Sequence, residues 1–388
     1  MVSRVTAARS RFSTRRAAGA SSAVHRVDGL LLVAVAALLL IGTLLVWSSS
    51  RTWAPGATGL VKKHLLNVGI GVALAVAAAT VDHRVLRAYT PLVYGGALLG
   101  LILVVTPVGS EVNGAHSWIM LGGGFALQPS EFAKLGLALM LAMLLAQPAD
   151  GDDRPRGLGV MTALAVAALT MGLVMMQPDF GTTMVLAVIT AGVLILGGLR
   201  KRWIILLALA VAAAGAAVWF LGVLKPYQVA RFTAFIDPAT DPRGVGYNST
   251  QSLNAVGSGG LFGKGLFGGG QTMGRFVPEQ HTDFVFTVAG EEFGFLGSVT
   301  VVMLLGVVLL RGLRIARQCE DRFGMLVAGA IVCWLGFQTL INVGMTIGIM
   351  PITGLPLPFV SYGGTATFAN MIAVGLLQAI HMRERHPV

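Results

Sequence analysis

The residues best suited to chemistry form a cluster of carboxyl and imidazole side chains. Glu279, His281 and Asp283 stand directly before a long apolar run, and Glu291 and Glu292 follow within it. Ionisable groups at the edge of a membrane span are costly, and they usually mark a substrate path or a reaction centre. Carboxylates are suited to acid–base work, so the pattern predicts a reaction centre.

Asp283 has a second interpretation, as the cap of the helix that follows it, because Asp is favoured at helix N-termini. Glu291 and Glu292 would lie about 12 Å further along that helix, where a buried charge needs a partner. Glu291 falls about 80° round from Asp283, and Glu292 points the opposite way, so we expect them to have different neighbours. For these two, an inter-helix ion pair and a role in the site both stay open.

A second group of polar residues begins another apolar run. Pro129 suits the first turn of a helix. Glu131 and Lys134 are three residues apart, so they share one helix face and can pair. Either they form a local ion pair, or the Lys134 ammonium is held at the outer surface for an anionic headgroup. Asp179 is placed to cap a further helix, and Trp118 alone is typical of an aromatic anchor at the membrane surface.

The stretch from Val256 to Gly270 contains eight glycines in fifteen residues. It lacks the sequence of a phosphate-binding P-loop, and no strand precedes it. A flexible or re-entrant loop and a lid over a substrate both stay open. Because the cations Lys264 and Arg275 are nearby, we retain the lid as an alternative interpretation.

The elements that must position these residues are apolar helices. Of the 388 residues, 55% are hydrophobic and only 12% are charged, and the mean hydropathy is +0.77. A membrane span needs about 20 mostly apolar residues. The sequence predicts an all-α polytopic membrane protein with ten transmembrane helices. The ten apolar runs are residues 29–48, 62–80, 88–107, 131–147, 157–176, 182–198, 203–223, 284–310, 323–349 and 363–381.

The net charge of +11 follows the predicted topology. With the N-terminus inside, the cytoplasmic pieces hold 19 of the 28 Lys and Arg residues, which is the positive-inside pattern. Both termini are therefore predicted to be cytoplasmic, and nucleic acid is not an expected partner. Residues 1–26 are predicted to be a disordered basic tail, and residues 27–388 a single domain. Cys319 and Cys333 indicate neither a disulfide framework nor a metal site.

Three longer segments face outside: residues 108–130, 224–283 and 350–362. The largest, 224–283, is the extracytoplasmic loop between the seventh and eighth spans. Three prolines in 350–362 forbid a continuous helix, and bare backbone cannot face lipid, so this segment is predicted to line a cavity or to pack against protein. A transporter or flippase fits these features, as does an enzyme acting on a membrane-borne substrate. Acids grouped at the outer interface instead of the midplane favour the enzyme.

Five segments together resemble the SEDS family of membrane glycosyltransferases, which includes RodA, FtsW and SpoVE. They follow the family's order between residues 113 and 364. Residues 278–284 and 344–348 are more similar to the elongation branch, RodA, than to the division branch. Ser117 departs from the pattern, because Arg commonly precedes this Trp. The five segments are Asn113–Ala115 with Trp118, Gln128–Lys134, Gln177–Thr182, Pro278–Phe284 with Gly290–Gly294, and Asn342–Gly364.

The resemblance implies an inverting peptidoglycan glycosyltransferase of the bacterial plasma membrane. It would polymerise lipid II into β(1→4) glycan strands at the outer face during elongation. Asp283 matches the family's essential Asp and would take the proton of the acceptor hydroxyl. Lys134, Lys264, Arg275 or Arg231 would face the donor pyrophosphate, with or without a divalent cation, Mg or Mn. The substrate-binding residues expected on this basis are Trp118, Glu131, Lys134, Lys264, Arg275, Glu279, His281, Glu292 and Ser361.

The resemblance also implies protein partners. These are a class B penicillin-binding protein, the transpeptidase that crosslinks the strands, and the elongation machinery. Three alternatives stay open. A lipid II flippase needs acids along a path through the membrane, a division-branch polymerase would share the chemistry, and a non-catalytic scaffold would tolerate Asp283→Asn.

Overall fold

Helices dominate the computed structural model. It describes residues 27–51, 58–112, 115–122, 125–149, 152–155, 157–220, 222, 226–237, 241 and 244–384. The predicted basic tail, residues 1–26, lies outside these residues. The described helices are α1 (Gly29–Ser50), α2 (Thr58–Thr80), α3 (His83–Val105), α4 (Pro129–Leu145), α5 (Gly157–Met176), α6 (Phe180–Leu196), α7 (Lys201–Phe220), α8 (Pro226–Ile236), α9 (Val245–Ser258), α10 (Gly270–Met273), α11 (Val285–Gln318), α12 (Arg322–Thr346) and α13 (Gly364–Glu384).

Seven of the described helices are long and apolar enough to cross a membrane, namely α1, α2, α3, α5, α11, α12 and α13. The chain is therefore a multi-pass membrane protein. The other three predicted spans correspond to α4, α6 and α7. α4 and α6 have 17 residues each, or about 26 Å at 1.5 Å per residue. That these three helices cross the bilayer stays a prediction.

The expectation of an all-α chain needs one correction, because short strands occupy two of the connections. Three of them form an antiparallel sheet in sequence order, and two more form a separate pair. The strands are β1 (Ser110–Val112), β2 (Ala115–Gly122), β3 (Phe125–Leu127), β4 (Pro148–Ala149) and β5 (Asp152–Pro155).

Apolar side chains on facing helices form the core. α2 packs along α13, α3 packs along α4, and α11 packs against both α1 and α12. At one end of the bundle, Asp28 caps α1 and pairs with Arg311 of α11 at 2.7 Å. The Gln378 side chain of α13 donates to the Asp28 carbonyl and accepts from the Asp28 backbone N–H, each at 3.0 Å. Three helices are thereby joined at this end.

The predicted outer loop, residues 224–283, contains three helices, α8, α9 and α10. Its glycine-rich part lies against α11 where that helix is interrupted at Gly294, whose φ is 67°. The N–H of Phe295 donates to the Gly260 carbonyl at 2.9 Å. The carbonyls of Glu291 and Glu292 in turn accept from Lys264 and Gly265, both at 3.0 Å. The glycine-rich segment is thus bonded to the helix it crosses.

Two glycines permit this close approach. A side chain at Gly259 would collide with the Gly290 carbonyl, and one at Gly263 would collide with the backbone of Glu292. The segment therefore holds glycine for packing against α11. A phosphate-binding function is not needed to explain it.

Candidate active site

A cavity of about 300 Å³ lies where the polar segments of the sequence meet. Of the predicted site residues it contains Asp283, Glu279 and Trp118, and it also contains Arg231. The rest of the lining comes from the β2 strand, from residues 350–362, called the Pro-rich segment below, and from several helix ends. These residues are Ser117, Gln128, Pro178, Asp179, Phe180, Thr282, Thr353, Gly354, Pro356, Tyr362, Gly363, Thr365 and Ala366.

Four of the described helices begin at this cavity. Gln128 directly precedes α4, Asp179 precedes α6, Asp283 lies two residues before α11, and Gly363 precedes α13. The first N–H groups of a helix lack partners within it, and its N-terminus carries a partial positive charge. The cavity is therefore suited to an anionic group.

Hydrogen bonds join three of these helix starts. Asp179 accepts from the Thr182 N–H at 2.9 Å and from its hydroxyl at 2.7 Å, which confirms the prediction that it caps α6. The Gln128 side chain donates to Asp179 at 3.3 Å, and the Gln128 N–H donates to the Thr365 hydroxyl at 3.2 Å. Segments far apart in the sequence therefore form one wall of the cavity.

Asp283 is positioned by its backbone. Its N–H donates to the Glu279 carbonyl at 3.1 Å, and its own carbonyl accepts from the Asn342 side chain at 2.7 Å. The N-cap of α11 is Phe284, with no side-chain cap bond. The interpretation of Asp283 as a helix cap is therefore wrong. Its carboxyl group lies at the cavity and does not cap α11.

The environment of Asp283 raises its carboxyl pKa from 3.8 to about 7. Burial is the largest cause, and the negative charge of Glu279 adds to it. Arg231 and a hydrogen bond from Thr282 lower the pKa, and Asp179 raises it further. A carboxyl group with a pKa near neutral can exchange a proton with a bound substrate, as general acid–base catalysis requires.

Among the described residues that line the cavity, Arg231 is the one with a cationic side chain. Its guanidinium donates to the Thr353 carbonyl of the Pro-rich segment at 3.3 Å, and its charge acts on Asp283. It was one of four cations considered from the sequence. The other three, Lys134, Lys264 and Arg275, do not line the cavity.

Lys134 lies within the helix bundle. It is fully buried and pairs with Glu131 at 2.7 Å, which confirms the predicted ion pair. Its ammonium also donates to the Gln338 side chain at 3.1 Å and lies 4.9 Å from the centre of the Trp334 ring. Both members of the pair are buried and bonded to each other inside the protein, and a substrate contact by either of them stays a prediction.

The two acids inside α11 have different neighbours, as expected. Glu291 is buried and pairs with Lys264 of the glycine-rich segment at 2.9 Å. Glu292 accepts a hydrogen bond from the Ser48 hydroxyl at the end of α1. Both carboxylates thus hold other elements onto α11, and direct substrate contact by Lys264 or Glu292 stays a prediction.

His281 and Ser361 lie beside the cavity. The His281 ring is 5.7 Å from that of Tyr362, a lining residue, and the His281 carbonyl accepts from the Tyr362 N–H at 2.9 Å. Burial lowers the pKa of His281, and the nearby charge of Glu279 opposes this effect. Ser361 accepts from the Leu357 N–H at 2.8 Å and shapes a turn. The side chain of Arg275 is exposed.

Several lining residues carry no obvious signal in the sequence. Thr365 and Tyr362 are uncharged. Asn342, which does not line the cavity but donates to the Asp283 carbonyl, lies in the middle of an apolar run. Their positions depend on how the Pro-rich segment returns to the start of α11. The three prolines of that segment predicted that it lines a cavity or packs against protein. Thr353, Gly354 and Pro356 do line the cavity, but the prolines do not indicate which helix the segment faces.

The described residues contain no group of three His, Cys, Asp or Glu side chains close enough to hold a metal ion together. Of the three carboxyl groups that line the cavity, Asp283 and Glu279 repel each other, and this repulsion contributes to the raised pKa of Asp283. Magnesium is often bound by one or two carboxylates together with substrate phosphates and water. A divalent cation is therefore compatible with this pair when a phosphorylated substrate is present.

A bundle of apolar helices with a polar, acid-containing cavity at one end defines a multi-pass membrane protein with a candidate active site. The chain belongs to the FtsW/RodA/SpoVE family of cell cycle proteins, whose model matches residues 29–386. This confirms the resemblance to the SEDS family.

Named relatives cover nearly the whole chain. Stage V sporulation protein E of Bacillus subtilis is 36% identical over 92% of this chain and 98% of its own length. Peptidoglycan glycosyltransferase MrdB of Escherichia coli K12 is 35% identical over 93% of this chain and 95% of its own length. A chain solved in a peptidoglycan synthase complex superposes with a TM-score of 0.79 at 32% identity, covering 93% of this chain and 99% of that one. Rod shape determining protein RodA of Thermus thermophilus superposes with a TM-score of 0.69 at 30% identity, covering 93% of this chain and 98% of that one.

Proposed function

We propose that this chain polymerises lipid II into β(1→4) glycan strands at the outer face of the plasma membrane, with Asp283 as the base. Its relatives include enzymes named peptidoglycan glycosyltransferase, and the chain is an enzyme of that class. The observation that carries the proposal is the carboxyl group of Asp283, with a pKa of about 7, in a cavity at which four of the described helices begin.

The proposed step is a displacement at the donor sugar. The acceptor's 4-hydroxyl oxygen forms a bond to the anomeric carbon, the bond from that carbon to the pyrophosphate oxygen breaks, and the hydroxyl proton passes to Asp283. Attack opposite the leaving group converts the α-linked donor into a β-linked product. A base with a pKa near the working pH is best matched to this transfer.

The leaving pyrophosphate needs positive charge. Arg231 supplies a cation at the cavity, and the N-terminus of α13 presents the backbone N–H groups that follow Gly363. Helix N-termini commonly bind phosphate groups in this way. Arg231 is a better candidate for this contact than Lys134 or Lys264, which are paired elsewhere.

Other cavity residues have supporting parts in the proposal. Trp118 offers an aromatic face for a sugar or for the lipid boundary. Glu279 and Asp283 would be the residues that hold a divalent cation, if one is used. Such a cation would neutralise charge on the pyrophosphate.

The elongation role and the partner are also proposals. The segments 278–284 and 344–348 support the RodA branch, and the peptidoglycan synthase complex that contains a similar chain supports a crosslinking partner such as a class B penicillin-binding protein. The charge distribution supports cytoplasmic termini. A reporter active only in the cytoplasm, fused at the C-terminus, should be active, and inactivity there would reverse the proposed orientation.

The deciding experiment is to incubate the purified protein with lipid II and to separate the products on a gel. Glycan polymer is expected, and its absence under conditions in which a relative makes polymer would contradict the proposal. Vesicles carrying labelled lipid II test the flippase alternative, because a flippase moves the label across the bilayer without joining sugars.

A further inference from the structure

One buried carboxylate outside the cavity collects an unusual number of hydrogen bonds. The Oε1 atom of Glu291 accepts from Lys264 Nζ and the Gln271 N–H, both at 2.9 Å, and from Ser258 Oγ at 3.3 Å. Its Oε2 atom accepts from the Thr272 N–H and hydroxyl, both at 2.8 Å. None of these groups lines the cavity. Neither Glu291 nor its hydrogen-bond donors take part directly in the proposed reaction.

We infer that Glu291 is a positioning residue, which fixes the turn carrying Asp283 through Thr272 and Gln280. This rests on the proposed function, because it assigns Glu291 a role in the same reaction. Glu291 touches neither the substrate nor the reacting atoms. It acts by holding the chain that leads into the site.

The local sequence allows the carboxylate to approach. A Cβ atom at Gly269 would stand 2.6 Å from Glu291 Oε2, so a side chain there would push the carboxylate away. Lys264 supplies the opposite charge that a buried carboxylate needs, and it also donates to Ser258 at 2.9 Å. Gly269 and Lys264 therefore both help to hold α10 against α11.

The fixation passes from α10 to the Asp283 turn through one buried amide. The Gln280 side chain donates to the Thr272 carbonyl at 3.0 Å and to the Ser49 carbonyl at 3.2 Å. Thr272 and Gln280 are both buried. Gln280 lies in the turn in which the Glu279 carbonyl accepts from the N–H of Asp283. A shift of α10 would therefore move this turn.

Glu291→Gln removes the charge and one strong acceptor while keeping the size of the side chain. A displaced Asp283 would reduce the rate of the chemical step more than substrate binding, because small misplacements of reacting groups alone can cost about 10²-fold. We expect kcat to fall about 10- to 100-fold with KM changed by less than about threefold. A milder change, Thr272→Val, removes only the hydroxyl bond and should act in the same direction.

Hydrogen exchange of the purified protein gives a readout that does not depend on catalysis. The amides of Gln271 and Thr272, which donate to Glu291, should exchange about tenfold faster in Glu291→Gln. Asp28→Asn is the matched control, because it removes the charge of the buried pair with Arg311 near the other end of α11. It should leave those two amides and kcat unchanged. Unchanged exchange in Glu291→Gln would overturn the inference even if the enzyme proved not to polymerise lipid II.

A double-mutant cycle tests the path through Gln280. Gln280→Met removes the amide bonds at similar size. If Glu291 acts through Gln280, the double variant should lose no more kcat than the worse single variant, whereas independent effects would multiply. Multiplied losses would contradict the path. If Glu291→Gln does not accumulate in the membrane, the same cycle with Thr272→Val decides the question.

Discussion

Gly354 lies directly against the carboxyl group of Asp283. A Cβ atom on Gly354 would stand 3.3 Å from Asp283 Oδ2, and the φ angle of Gly354 is +78°, in the region that residues with a side chain rarely adopt. The Pro-rich segment thus brings backbone without a side chain close to the proposed base. The missing side chain leaves room beside the carboxyl group.

Gly354→Ala should therefore impair catalysis more than stability. The positive φ costs about 1–2 kcal/mol for a residue with a Cβ, and the added methyl group crowds Asp283. Gly348→Ala is the matched control, because Gly348 has a φ of +74° and its Cβ would also meet a neighbour at 3.3 Å, the side chain of Leu253. We expect similar losses of thermal stability but a polymerisation rate at least about tenfold lower in Gly354→Ala. Equal rates in the two variants would show that the contact with Asp283 is unimportant.

The pH dependence of kcat/KM should report the pKa of Asp283. A base works only when ionised, so activity should rise with pH through about 7 and be lost below it. Glu279→Gln removes a like charge and should move the midpoint to lower pH, while Arg231→Gln removes an opposite charge and should move it to higher pH. Rates of glycan synthesis across the pH range give both midpoints. Shifts in the same direction, or none, would contradict Asp283 as the titrating group.

The buried pair of Glu131 and Lys134 predicts a strong coupling in stability. Lys134→Met leaves a buried carboxylate without its partner, which typically costs about 3–5 kcal/mol. Adding Glu131→Gln should restore most of the loss, because two neutral residues need no mutual compensation. Thermal unfolding in detergent measures this.

The same double variant tests a catalytic role for Lys134. Once folding is restored, polymerisation near the wild-type rate would exclude Lys134 as a phosphate contact. A folded but inactive double variant would favour that contact, which the resemblance implies.

Local chemistry made several features predictable from the sequence. The helix start at Pro129 and the cap at Asp179 depend on residues within about one turn, and both are confirmed. The spacing of Glu131 and Lys134 allowed them to pair, and the structure contains that pair. The ten apolar runs predicted ten of the described helices, although the sequence does not reveal which helices meet at their ends.

What the sequence leaves open depends on tertiary structure. Asp283 could be a cap or a base by its position in the chain, and only the actual N-cap, Phe284, separates the two. Among four candidate cations, charge alone could not distinguish Arg231, which lines the cavity, from Lys264, which pairs with a helix carboxylate. The sequence contains both charges, but the fold decides their neighbours.

Asp283→Asn is the most direct test of the proposed base. The substitution keeps the size of the side chain and removes its ability to take a proton. Since Asp283 is not the cap of α11, folding should change little. Polymerisation should fall about 10²- to 10⁴-fold, the range usual for a lost acid–base group. Gel analysis of glycan made by the purified variant measures the loss.

Asp321→Asn is a matched control for that change. Asp321 caps α12 by accepting from the Gly324 N–H at 2.9 Å, and Asn caps helices about as well as Asp, so its activity should stay close to wild type. Lipid II binding should persist in Asp283→Asn, because the charge of Arg231 and the start of α13 remain in place. Near wild-type polymer from Asp283→Asn would exclude the base, and loss of lipid II binding would instead make Asp283 a binding residue. Only a folded, substrate-bound and inactive variant agrees with proton transfer to this carboxylate.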